Sequence, residues 1–160
     1  MKSIKEIAKF FNSDPLKVNN LFVNHGINID VKFGINDGFI SNYVWEHIER
    51  ELNNIKENYP SRDDILENKK EWVSVNHRKA YVYFLILDNT IVYVGQSVSL
   101  MARVAEHIKT KKEFNYIYYV EVPKRLLSRI ENYYIREIRP YYNIAGMDSL
   151  SFLDSIISSM

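Results

Sequence analysis

The 160-residue sequence contains no cysteine, which excludes disulfides and thiolate metal sites and makes a reducing cytoplasm the expected setting. Proline and glycine are scarce, at 4 and 5 residues, too few for a collagenous or low-complexity chain. Charge is almost balanced, at +1, so no general basic field announces a polyanionic partner. The longest apolar run, Tyr81 to Leu87, falls far short of the roughly 20 residues that a membrane helix needs. Lysines alternate with apolar residues from Lys2 to Lys9, a pattern without the apolar core of a secretory signal. Neither membrane nor export is expected.

What is present is the balance of a soluble globular protein, 46% hydrophobic and 26% charged. The length allows one ordinary domain or two small ones. Charge is unevenly spread. Residues 1–79 carry 12 Lys and Arg against 12 Asp and Glu, whereas residues 80–146 carry 9 against 6. Excess positive charge in the second half is compatible with nucleic-acid binding.

Residues 1–58 read as an all-helical domain. Ser3 and Glu6 form a capping-box pattern, and Ser13-Asp14-Pro15 opens a second helix that Gly26 is placed to end. Two short helices joined by a tight turn resemble a helix-turn-helix unit. An irregular stretch from Ile29 to Gly38 leads to Ser41, which can cap a longer helix. Residues 59–78 read as a helical linker, with a last helix near Arg62 to Trp72. From 79 to 146 the pattern becomes β-β-α-β-α: Tyr81–Leu87 and Ile91–Val94 form a hairpin, a helix carries Leu100, Val104 and Ile108, Phe114–Val122 is a third strand, and a helix opened by Pro123 faces Leu127, Ile130, Tyr134 and Ile138 inward. Residues 147–160 read as a docking helix or tail. The predicted fold class is α+β, a small antiparallel-containing sheet flanked by helices.

The chemistry concentrates between residues 81 and 143. Tyr81-Val82-Tyr83 and Tyr93-Val94-Gly95 lie on the two hairpin strands, followed by Gln96-Ser97 and by Leu100-x-x-Arg103-x-x-x-His107 on the next helix. Glu131 sits on the last helix, and Pro140-Tyr141-Tyr142-Asn143 closes the block. In order and spacing these elements resemble the GIY-YIG endonuclease family, with Tyr81 where the family's first glycine usually stands. The resemblance implies an endonuclease in which Tyr83 is the general base or helps orient water, and Tyr93 positions that water. It further implies that Arg103 binds the scissile phosphate, His107 assists Tyr83 or the phosphate, Asn143 braces the site, and Glu131 is the sole protein ligand of Mg²⁺ (or Mn²⁺).

The residue types suit that chemistry on physical grounds. Phosphodiester hydrolysis needs an attacking water, a proton acceptor and positive charge on the developing phosphorane. Arginine presents a rigid fork of donors to phosphate, and one carboxylate with waters and a phosphate oxygen is a common way to hold Mg²⁺. Arg103 and His107 are four apart and share a helical face, which the sequence predicts to flank the hairpin without being buried. A tyrosine base is difficult, because free phenol has a pKa of about 10; cationic neighbours must favour phenolate, or the proton must be relayed.

Each of these residues alone has an ordinary structural reading: core packing for Tyr83, a solvated charge for Arg103 and Glu131, a turn for Asn143. His25, His47 and His77 show no metal-ligand spacing. The run Lys109 to Lys112 either contacts phosphates or complements the end of the preceding helix. Lys124, Arg125, Arg129, Arg136 and Arg139 place positive charge along the Glu131 helix, suited to a duplex. The front domain more loosely resembles the N-terminal module of bacterial translation initiation factor two, and Lys17, Asn19, Asn20 and Asn24 on its second helix are the expected DNA contacts. Double-stranded DNA is therefore the expected partner, a homodimer is possible, and the rival function is a catalytically dormant DNA-binding protein or repressor.

Overall fold

A computed structural model describes residues 1–32, 37–74, 79–146 and 150–160. His77, the middle of the 29–38 stretch and the start of the tail at Asp148 lie outside the described residues. The chain is a mixed α+β protein and divides into two compact units, Met1–Asn58 with Asp148–Met160, and Tyr59–Met147. Among the described residues, no helix is long and apolar enough to cross a membrane.

In the first unit β1 (Lys2–Ser3) runs into α1 (Ile4–Phe10). The Ser3 hydroxyl accepts from the Glu6 amide and the Glu6 carboxylate accepts from the Ser3 amide, each at 3.1 Å, so two otherwise orphaned amides are satisfied. Asn12, at φ 49°, turns the chain, and Asp14 caps α2 (Pro15–Asn24), with Gly26 beyond its end at φ 71°. β2 (Asp30–Val31), β3 (Gly38–Ile40) and α3 (Asn42–Asn58) follow. β3 pairs antiparallel with both β1 and β2. The expectation of an all-helical front domain is therefore wrong: it holds a three-stranded sheet. Strands of two or three residues are too short to display a two-residue period, which is why the pattern missed them.

The second unit opens with α4 (Arg62–Glu67). It ends at Asn68, well before the predicted Trp72, because Lys70 leaves the helix to exchange two 2.7 Å backbone hydrogen bonds with Ile117. β4 (Tyr81–Leu87) and β5 (Thr90–Ser97) form the hairpin, α5 (Leu100–Ile108) follows, then β6 (Tyr116–Glu121), a 3-10 turn at Lys124–Leu126 and α6 (Leu127–Ile138). The sheet order is β5-β4-β6, entirely antiparallel. Its central strand is covered on both faces, which accounts for the unbroken apolar run. On one face Tyr83 and Leu85 pack with Leu100 and Val104 of α5; on the other, Phe84 meets Tyr134 of α6 edge-on at 4.8 Å. Two helical stripes differ from expectation. α5 buries Leu100, Val104 and His107 and leaves Ile108 exposed, and α6 buries Tyr133 with Leu127, Ile130 and Tyr134 while Ile138 is only half-buried.

The tail forms α7 (Ser151–Ile157), whose Phe152, Leu153, Ile156 and Ile157 are buried in the first unit against α3 and Phe11. A 2.7 Å contact between His25 Nε2 and Asp154 Oδ1 ties it to the end of α2.

Candidate active site

The hairpin register sets the geometry. Tyr83 pairs with Gly95, and Tyr93 pairs with Leu85, so the two phenols are diagonal neighbours on one face. The Tyr83 ring lies over the backbone of β5 at Gly95: a Cβ there would sit 2.5 Å from the Tyr83 oxygen and 2.8 Å from Tyr93. Only glycine leaves that space. α5 delivers His107 to the same place, with ring centroids 5.7 Å from Tyr83 and 4.7 Å from Tyr93. The Tyr83 oxygen and His107 Nε2 are 2.7 Å apart. His107 is therefore a core residue and does not flank the hairpin as expected; positions 100, 104 and 107 share the inward face of the helix.

Burial has electrical consequences. It pushes the Tyr83 hydroxyl far above the ordinary phenol range, with Tyr93 adding to the effect; Arg103 pulls the other way without prevailing. A phenolate base at Tyr83 is thus disfavoured. The expected compensation by cationic neighbours is present but too weak, because Tyr83 is completely buried whereas the guanidinium stands in solvent. Tyr93 is half-buried and is the more exposed of the two phenols. His107 is pushed down to about 4 by burial, then by the charges of Lys112 and Arg103. It is a neutral imidazole at pH 7.

Arg103 links the cluster. Its guanidinium donates to Glu106 at 2.7 Å, which with the electrostatic pull of Tyr83 and Tyr93 raises its pKa further, and its field also bears on Glu131. Glu131 starts from α6, which packs on the opposite face of the sheet, but it occupies the helix rim beside the end of β5. There Gln96 Nε2 donates to its carboxylate at 2.6 Å and to Ser128 at 3.2 Å. Burial raises the Glu131 pKa, against the Gln96 hydrogen bond and the Arg103 charge. Asn143 engages the backbone of β5. Its amide oxygen accepts from Val94 N at 2.8 Å and its nitrogen donates to Val94 O at 2.9 Å, so it braces the open edge of β5 like a short strand.

Compared with family models, curated proteins and solved structures, the chain matches none of them. Function must be read from the site itself.

Among the described residues, no group of three or more carboxylates or histidines can hold a metal ion. A lone half-buried carboxylate fits a hard cation that completes its shell with water and substrate oxygens, and Glu131 offers that donor set. The other expected contacts are dispersed. Lys17, Asn20 and Asn24 are exposed along one side of α2, where Asp154 adds a carboxylate to the same groove. Asn19 does not join them: 100° per residue turns it away, and it is half-buried near Gly38. Lys124 and Arg125 are exposed on the 3-10 turn, Arg129 is half-buried on α6, and Arg136 is paired with Glu137 at 2.6 Å.

Gln96 and Glu106 have no role assigned from sequence, and Lys112 reads there only as part of the Lys109 to Lys112 run. The i,i+3 spacing of Arg103 and Glu106 signals an ion pair. Nothing in the sequence signals the Gln96 contact across 35 positions, or the approach of Lys112 to Tyr93, with the ammonium 5.2 Å from the ring centroid.

Proposed function

We propose that this chain is a magnesium-dependent endonuclease of the GIY-YIG kind that hydrolyses phosphodiester bonds in double-stranded DNA. One observation carries the reading: Tyr83, Tyr93 and His107 form one aromatic cluster, and the guanidinium of Arg103 bears on both phenols and on the carboxylate of Glu131. A purely structural cluster has no need of an exposed guanidinium within electrostatic reach of two phenols and a carboxylate.

In this reading Arg103 binds the scissile phosphate and offsets its growing charge. Tyr93, the more exposed phenol, holds the attacking water by a hydrogen bond. The water's proton passes to the Tyr83 oxygen as Tyr83 passes its own to His107 Nε2, so neither phenol ionises. The bound phosphate favours this step, because burial, with the charges of Lys112 and Arg103, keeps His107 neutral, and the phosphate's negative charge opposes those two cations. Glu131, oriented by Gln96, would hold Mg²⁺, whose contribution is positive charge at the phosphoryl and leaving oxygens. α2, through Lys17, Asn20 and Asn24, supplies a second contact to DNA that guides the choice of site.

The test is to sequence the ends produced from a long mixed-sequence duplex with Mg²⁺, with EDTA and with the Glu131→Ala variant as controls. New ends that need both Mg²⁺ and Glu131 support the reading. DNA binding with no ends above the Glu131→Ala background overturns it in favour of a non-cutting DNA-binding protein.

A further inference from the structure

The run Lys109-Thr110-Lys111-Lys112 places three cations after α5, and the structure separates one from the others. Lys109 and Lys111 are exposed, whereas Lys112 is half-buried. The turn that places it is built. The Thr110 hydroxyl donates to His107 O at 2.7 Å and accepts from the Lys112 amide at 3.3 Å, while the Glu113 amide donates to the Tyr142 hydroxyl at 2.9 Å. This clamp brings the Lys112 ammonium 5.2 Å from the centroid of the Tyr93 ring.

The position is electrostatically unbalanced. Among the described residues, Lys112 has no carboxylate within ion-pair distance, whereas Arg103 is paired with Glu106. The charges of Lys112 and Arg103 both act on His107, and only Glu106 opposes them. An aromatic face attracts a half-desolvated ammonium, and holding it near a second cation opposes that attraction. An anion beside Tyr93 removes the imbalance, and Tyr93, the more exposed of the two phenols, is the residue that Lys112 covers.

We propose that Lys112 is a second substrate contact, an ammonium that binds a backbone phosphate of the DNA strand whose scissile phosphate Arg103 holds. The proposal rests on the endonuclease reading of this site and adds a residue to it. It also divides the lysine run: Lys112 contacts DNA, and Lys111 does not.

The measurement is the salt dependence of duplex binding, followed by fluorescence anisotropy in the Glu131→Gln background without divalent ions. Each phosphate contact contributes about 0.9 to the slope of log K against log salt. Lys112→Gln is expected to lower that slope by about one and to raise KM for cleavage severalfold in the otherwise native protein. Lys112→Arg should retain the slope, and Lys111→Gln should leave it unchanged. An unchanged slope in Lys112→Gln overturns the proposal, as does an equal loss in Lys111→Gln. If the native protein cuts DNA while Lys112→Gln keeps its slope, only this inference falls. If the native protein neither binds nor cuts, the endonuclease reading falls with it.

Discussion

Tyr83 and Tyr134 are both buried, aromatic and raised far above the ordinary phenol range by burial, yet they lie on opposite faces of the central strand's layer. Tyr134 donates to the Pro60 carbonyl at 2.7 Å and packs edge-on against Phe84. Its hydroxyl is fully explained by structure, since a buried O–H needs an acceptor. Tyr83 meets a titratable imidazole, with a second phenol and a guanidinium close by. The same side chain with the same burial is inert on one face and chemically coupled on the other. Partners, and not burial or perturbed ionisation, distinguish the candidate site.

The sharpest way to break this contrast is Glu131→Ala, expected to lower Mg²⁺-dependent cutting by about 100- to 1000-fold, as for loss of a main electrostatic contributor. Steady-state nicking of a supercoiled plasmid measures it, and Tyr134→Phe in the same assay should cut at the native rate. If both variants cut equally, the two faces do not differ in function.

Gly95→Ala should be the most damaging small substitution. Its methyl would meet the Tyr83 ring, and overpacking of this kind costs about 1–3 kcal/mol. Urea denaturation should show a lower midpoint, and cutting should fall with it.

Tyr83→Phe leaves His107 Nε2 buried without its partner, a loss of about 1–3 kcal/mol. Tyr134→Phe strands only one carbonyl that is already part-exposed, so it should cost about 1 kcal/mol or less. Tyr83→Phe should also slow cutting strongly through loss of the proton path. Equal stability losses with unimpaired cutting would erase the distinction between the faces.

A further effect concerns pH. His107 is pushed down to about 4 from 6.5, so between those values the unfolded chain binds more protons and stability rises with pH. Glu131, raised above 4.5, acts with the opposite sign just above that value, because its folded form holds the proton longer. His107→Gln should therefore flatten the loss of stability on acidification between pH 6.5 and 4, read from denaturation midpoints. A steeper loss would contradict a neutral buried histidine.

Much of this architecture was legible before any coordinates. The capping box at Ser3 and Glu6, the start at Asp14-Pro15, the hairpin around Asp88 and the β-β-α-β-α order each arise from interactions between residues close in the chain. The ordered tyrosine, arginine and glutamate positions identified the candidate site for the same reason: each motif is local to one element. The two- and three-residue strands of the first unit escaped notice, as did the early end of α4, because β1, β3 and Lys70 are ordered by partners far along the chain.

Local propensity and periodicity specify which segments become helix or strand, since those preferences act over a few residues. They do not specify which side chains face one another. That His107 lies beneath the hairpin, that Gly95 is glycine because Tyr83 crosses it, and that Gln96 holds Glu131 were decided by packing between elements. Such contacts depend on how close-packed surfaces interlock, and a linear pattern carries no record of that fit.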